Sequence, residues 1–193
     1  NTRQVLRAGV GFVPEDRSTD GLVGSFSIAE NLILDLFDRK EFSSAGTLNR
    51  SAIAQNADHA VEEYDIRVGN KYDAASTLSG GNQQKIVVAR ELTRDLQLFV
   101  ASQPTRGVDV GSIEFIHKRI VAERDKGIPV IIVSTELDEV YALADRIAVF
   151  FHGELMGIVP NDTPRNVLGQ MMAGATYEEA RASVPATDAD LET

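Results

Sequence analysis

Cysteine is absent from this 193-residue chain, so no disulfide framework can be built from it. Basic side chains are in the minority, 19 against 29 acidic ones, for a formal net charge of −10. That balance repels phosphate polymers and anionic lipid, and no local basic patch overrides it, so nucleic acid is not an expected partner. Long apolar runs are lacking as well. The longest, such as Pro129 to Val133 and Ile147 to Phe151, fall far below the roughly 20 residues that span a bilayer. No charged-then-apolar leader opens the sequence, and with the missing cysteine this favours a cytoplasmic location. Also missing is any Gly-x-x-x-x-Gly-Lys-Ser/Thr sequence, the loop whose backbone nest and lysine hold nucleotide phosphates. Gly9-Val10-Gly11 lacks the third glycine and the helix of a dinucleotide fingerprint. His59, His117 and His152 have no ligand spacing, so no metal site is expected from them.

What is present is a chain with 43% hydrophobic residues, enough to bury the core of an ordinary domain. Four short apolar runs, Ala8 to Val13, Leu96 to Ala101, Pro129 to Val133 and Arg146 to Phe151, read as strands of a parallel sheet covered on both faces. Helical patterns lie between them: Gly80 to Arg94, Ser112 to Lys126 ended by Gly127, and Glu136 to Ala144. Strand alternating with helix predicts an α/β fold. His152-Gly153 reads as a tight turn into an antiparallel return strand, Glu154 to Val159. Between Ser27 and Tyr64 the pattern changes. Ser27 and Glu30 form a capping box, and Ile53, Ala57, Ala60, Val61 and Tyr64 recur at helical spacing, which predicts a helical subdomain over residues 27–77 inserted in an α/β core of residues 1–26 and 78–175. Thr163-Pro164 opens a further helix that Gly174 stops. A short helix from Tyr177 and an acidic tail complete residues 176–193.

One stretch carries chemistry. Thr77-Leu78-Ser79-Gly80-Gly81-Asn82-Gln83-Gln84-Lys85 runs directly into Ile86, Val87, Val88, Ala89 and Leu92 at helical spacing. Gly80 and Gly81 let the backbone approach a ligand, and the free N–H groups of a helix start favour an anion in front of Ser79. Taken alone, Ser-Gly-Gly before a helix also fits an ordinary loop and cap. The downstream residues narrow the choice: the run ending at Ala101 leads into Ser102-Gln103-Pro104-Thr105-Arg106-Gly107-Val108-Asp109, and a second strand ends at Ser134-Thr135.

This order resembles the ATP-binding-cassette (ABC) family, in which Leu-Ser-Gly-Gly-Gln is the signature motif. The resemblance covers nearly the whole chain: Ala8 to Arg17 as strand and Q-loop, Pro104 to Asp109 as the D-loop region, Val130 to Thr135 as the switch strand. Val13-Pro14-Glu15-Asp16-Arg17, Asn82-Gln83-Gln84-Lys85 and Pro104-Thr105-Arg106-Gly107-Val108-Asp109-Val110-Gly111 are similar to the second cassette of fused importers for simple sugars and nucleosides. The resemblance implies an incomplete ABC ATPase (P-loop NTPase-like) fold and a fragment lacking the Walker A loop. It implies ATP and Mg²⁺ in the full assembly. As partners it implies the first cassette of the same subunit and transmembrane permease subunits, which would hold the chain at the inner face of the membrane. The sheet edges left open by the missing strand could pair two copies of the fragment.

The same resemblance exposes departures. The family's metal-associated aspartate and catalytic glutamate fall at Ser102 and Gln103, and its switch histidine at Thr135. Serine and glutamine supply no anionic charge or basic carboxylate, so hydrolysis here is expected to be poor and the isolated fragment inactive. Thr135 reads alternatively as an N-cap for the helix after it. The Q-loop glutamine falls at Glu15. In the family two cassettes close head to tail, so Ser79, Gly80 and Gly81, with Gln83 nearby and Asp109 across the interface, would complete the partner's ATP site. Two other readings stay open: a soluble cassette protein outside transport, and a regulatory domain without nucleotide binding.

Overall fold

The structure is a computed structural model that describes residues 1–183. Its contacts divide the chain into a unit Asn1–Ser134 and a second unit that begins at Thr135. The first unit opens with α1 (Thr2–Arg7) and holds three parallel strands, β1 (Val10–Val13), β4 (Leu98–Ser102) and β5 (Val130–Val133), in the order β1-β4-β5. The register aligns Phe12 with Val100 and Val100 with Ile131. Side chains alternate across the sheet. Val13, Phe99 and Ala101 point into the core, while Phe12, Ile131 and Val133 on the other face are each about half exposed. The expected cover on both faces is therefore corrected: helices cover one face of these strands.

That cover centres on α4 (Gly80–Leu92), with α5 (Val110–Asp125) beside it. Ile86, Val87, Val88 and Ala89 are fully buried, so the middle of α4 is enclosed on every side, the condition of a central rather than a surface helix. Gly11 on β1 leaves room for the side chains of Leu96 and Phe99. A Cβ there would lie 3.0 Å from Leu96 Cδ2 and 3.1 Å from Phe99 Cδ2.

Polar groups at the far end of α4 are buried with it and satisfied by one another. The Glu91 carboxylate accepts from Arg90 Nε (3.0 Å), Arg94 Nη1 (3.0 Å) and the Phe12 N–H (3.2 Å). Arg90 also donates to the Gly21 carbonyl (2.8 Å) and pairs with Asp35 (3.2 Å), and Arg94 donates to the Leu6 carbonyl. Burial, opposed by Arg90, pushes the Glu91 carboxyl above its usual range. One cluster of charge thus ties α4 to α1, β1 and the segment after it.

Residues 27–77 leave and rejoin the strands at one place. Ser27 bridges Ala74, the Ala75 N–H donates to Phe26 O (2.9 Å), and the first turn of α2 (Ile28–Asn31) gives its N–H groups to Asp73 and Lys71 carbonyls. The capping box of Ser27 and Glu30 forms as the sequence predicts. A two-residue ribbon, β2 (Ser43–Ser44) with β3 (Thr47–Leu48), precedes α3 (Arg50–Glu63), whose Ile53, Ala57 and Ala60 join the core around α4. Lys85, buried on α4, reaches back to the Asp65 carbonyl (2.7 Å) and carboxylate (2.9 Å) and lies over the Phe115 ring.

The second unit holds α6 (Leu137–Leu143), β6 (Arg146–Phe151), β7 (Glu154–Pro160), α7 (Arg165–Met172) and α8 (Tyr177–Ser183). The strand predicted at Arg146 to Phe151 is present, but it pairs antiparallel with β7 in a sheet of its own rather than joining the parallel one. The reason is local. His152 and Gly153 both take positive φ, 47° and 84°, the geometry of a primed two-residue hairpin turn. Ile147 and Val149 then face Val167, Leu168 and Met171 while Phe150 faces out. Two helix starts also move by a residue: α7 is capped at Pro164 rather than Thr163, and α6 at Glu136 rather than Thr135. The acidic tail expected beyond α8 lies outside the described residues.

Glu91→Ala removes the one acceptor shared by two buried arginines and should lower unfolding stability by about 3–5 kcal/mol, the range for breaking a buried ion pair. Urea denaturation checks this as a fall in midpoint at unchanged slope.

Candidate functional site

Ser79 is the N-cap of α4, with extended backbone (φ −62°, ψ 155°). Its exposed Oγ accepts from the Asn82 side-chain amide at 3.0 Å and from the Asn82 N–H at 3.4 Å. Side chains at the next two positions are excluded by neighbours. A Cβ on Gly80 would lie 2.5 Å from Arg17 Nη2 and 3.0 Å from the Gly107 carbonyl oxygen, and one on Gly81 would run into Asp109 Oδ2 and Ser112 Oγ. The pair of glycines is therefore what allows the first turn of α4 to lie against two other segments at once.

The first of these is the start of α5. Asp109 is its N-cap and accepts from the Ser112 N–H (3.0 Å) and the Ser112 hydroxyl (2.9 Å). Those two donors, the backbone one foremost, hold the Asp109 carboxyl below its ordinary range. Val110 stands next to it almost fully exposed, at 82%. The beginnings of α4 and α5 are thus neighbours, and both bring unsatisfied N–H groups and positive dipole ends to one patch of surface.

The second segment is the loop after β1. Arg17 Nη1 donates to the Arg106 carbonyl (2.8 Å) and Nη2 to the Gly107 carbonyl (3.4 Å), while the Glu15 carboxylate pairs with the Arg106 guanidinium. The contacts run in both directions and form a clasp between residues 15–17 and 106–107. Asp16 shapes the first of these loops by accepting from the Thr19 hydroxyl (3.0 Å) and from the Ser18 and Thr19 N–H groups.

Ser102 and Gln103 stand at the carboxyl end of β4, the middle strand, where open α/β sheets place their ligands. Ser102 is in register with Val133, and the Gln103 N–H donates to the Val133 carbonyl (2.7 Å). Gln103 has a φ of +50°, a left-handed conformation that is uncommon for residues with side chains and recurs at functional sites. The chemistry on offer is a hydroxyl and a carboxamide, both neutral. A hard divalent cation prefers carboxylate oxygens, and the carboxylate just past the neighbouring strand, Glu15, is already paired with Arg106. Mg²⁺ does not fit the donor set at the end of β4.

Of the residues singled out from the sequence, the structure joins Ser79, Gly80, Gly81 and Asp109 at the two helix starts and sets Glu15 beside them through the clasp. Ser102 and Gln103 form a separate pair on β4. Gln83 turns away. Its amide donates to the Ala75 and Leu78 carbonyls (3.2 Å each) and braces the loop that leads into α4. Thr135 is exposed and belongs to the second unit. Sequence reasoning passed over Arg17, Arg106, Ser112 and Asn82. Only Asn82 carried a signal, since it stands three residues after a capping serine, where a side chain can reach back to the cap.

Two structures of the ATP-binding cassette MJ0796, one a dimer in a post-hydrolysis state bound to ADP and Pi, match with a TM-score of 0.67 at 22% identity, over 84% of this chain and 67% of theirs. The fold is that of an ATP-binding-cassette ATPase. The cbiO1 protein of Clostridium perfringens, part of the ABC transporter complex cbiONQ, gives 0.63 at 21% identity over 88% of this chain and 63% of its own. Among curated proteins, the chain is 44% identical over 179 residues to the guanosine import ATP-binding protein NupO of Bacillus subtilis. It is 45% identical over 178 residues to the nucleoside import ATP-binding protein NupA of Lactococcus lactis, and 43% identical over 183 residues to a glucose import ATP-binding protein of Haloferax volcanii. These alignments take in 92%, 92% and 93% of the chain but 35%, 35% and 33% of the relatives, so it spans about a third of their length. No family model matches the chain. Its homologues are the ATP-binding proteins of nucleoside and sugar importers, and among the described residues no helix is long and apolar enough to cross a membrane.

Gly81→Ala should part the starts of α4 and α5 and lower stability by roughly 1–3 kcal/mol, the scale of overpacking; urea denaturation measures it. The depressed Asp109 carboxyl makes a signed pH prediction. Its contribution is present above the unfolded pKa of about 3.9 and is lost as pH falls through the lower folded value. Asp109→Asn should therefore flatten the stability decline below about pH 4, followed by thermal melts across that range.

Proposed function

We propose that this chain is the C-terminal part of the ATP-binding subunit of an ABC importer for simple sugars or nucleosides, acting as its second cassette. The observation that carries this is the contrast between its two candidate sites. The start of α4 presents an exposed serine hydroxyl and free backbone donors, held in place from two sides. The end of β4 carries Ser102 and Gln103, which lack the charge that metal binding and water activation need. Phosphoryl transfer requires a phosphate cradle, a metal and a water-orienting group, and of these the described residues offer an oxyanion-facing surface alone.

Ser79, Gly80 and Gly81 then complete the ATP site of the first cassette in trans, with Asp109 next to them at the interface. The nucleotide and Mg²⁺ belong to the full assembly, and the positions Ser102, Gln103 and Thr135 are degenerate, each lacking the hydrolytic group the family places there. The relatives' names support nucleosides or sugars as the class of transported solute. Residues 27–77 form the subdomain that meets the transmembrane permease subunits, which hold the chain at the cytoplasmic face of the membrane.

Ser79→Arg in the full-length subunit should cut ATPase and uptake rates by tenfold or more, on the order of a lost charge-assisted contact plus a clash. Unchanged rates would remove the assignment and favour a regulatory domain without nucleotide contact. The chain by itself should show no Mg²⁺-dependent ATP turnover, and robust turnover by the pure chain would overturn the degenerate site.

A further inference from the structure

Ser79 lies in a hydrogen-bond arrangement that determines which way its hydroxyl hydrogen can point. A serine hydroxyl has one hydrogen to donate and two lone pairs that accept. Here both acceptor positions are served by the same residue: Asn82 reaches Ser79 Oγ with its side-chain nitrogen at 3.0 Å and with its backbone N–H at 3.4 Å. The orientation of that amide is fixed independently. Arg67 donates its backbone N–H to Asn82 Oδ1 at 2.9 Å, and a backbone N–H can only donate, so the opposite end of the amide must be the NH₂ group. Asn82 is therefore a donor to Ser79, with no freedom to flip and become its acceptor.

We infer that Asn82 is a positioning residue that polarises Ser79 into an obligate hydrogen-bond donor aimed out of the protein. With its lone pairs occupied, the exposed hydroxyl has its hydrogen left, and among the described residues it donates to none. A group that only accepts is matched to that hydrogen, and a phosphate oxygen of a nucleotide is the chemistry that fits beside a helix start. A neutral hydroxyl free to rotate would accept as readily as it donates; this one is set in advance for an anion. The geometry also links the site to the segment after α3, because the Arg67 N–H is the group that holds the amide. The inference rests on the trans role proposed for Ser79.

The test is a double-mutant cycle in the full-length subunit within its transporter, reading the KM for ATP, kcat and inhibition by ADP. Asn82→Ala should raise the KM for ATP roughly tenfold, the scale of one hydrogen bond to a charged group, and should add nothing in a Ser79→Ala background. Asn82→Asp keeps the shape and the Arg67 contact but can only accept, so it turns the hydroxyl inward. It should weaken ATP at least as much as Asn82→Ala while leaving the melting temperature and ADP inhibition unchanged, a separation that loss of structure would not give. If Asn82→Asp keeps the wild-type KM, or if Asn82→Ala costs as much without the Ser79 hydroxyl as with it, the inference fails and the role of Ser79 stands. If Ser79→Ala and Ser79→Arg are themselves without effect, the proposed function fails, and the inference with it.

Discussion

Everything in the first unit depends on the burial of one helix along most of its length while its first residue stays at the surface. α4 is enclosed from Gln84 to Leu92, and its apolar middle packs against strands, α5 and the helices of residues 27–77 within a single core. Apolar packing of that kind is non-directional. What gives it direction is the charge cluster at Glu91, where partners from α1, β1 and the segment beyond β1 fix how far α4 slides along the sheet. With the carboxyl end held, the position of the amino end is determined, and the glycines at 80 and 81 let it settle between Arg17 and Asp109.

Much of this was legible in the sequence. The amino end of α4, its cap and its glycines arise from residue types whose conformational preferences are local, and so do the capping box at Ser27 and the turn at His152-Gly153. The composition of the apolar runs located all four strands to within about two residues, inside the usual uncertainty of element boundaries. The pairing of Arg146 to Phe151 with the return strand after His152-Gly153 was legible as well; that this ribbon would form a sheet separate from the parallel one was not. Arg146 to Phe151 has the same apolar makeup as the strands of the parallel sheet, yet its neighbour in sequence captured it, because a primed two-residue turn makes antiparallel pairing the shortest route.

Side-chain partnerships were the least visible layer. Nothing in the spacing of Arg17 and Arg106 announces that they meet across 89 residues, and Glu15 offered no hint that it would be neutralised by one of them. Gln83 was grouped with its glycine neighbours because it is adjacent in sequence, but successive helical residues point about 100° apart, so it faces the preceding loop while Asn82 faces the serine. That Ser102 and Gln103 are neutral side chains was readable from the sequence. The left-handed backbone at Gln103 was not, since residues with side chains seldom adopt it.

The row formed by Phe12, Val100 and Ile131 has a colloidal consequence. An apolar stripe on a sheet attracts its own kind in water, and repulsion between like-charged molecules is what keeps such stripes apart. The chain carries that repulsion in its surplus of carboxylates, which vanishes near its isoelectric point of about 4.8. Mild acid is thus where the stripes of two copies of this chain meet the least repulsion, well before its carboxylate-capped helices begin to lose their hold.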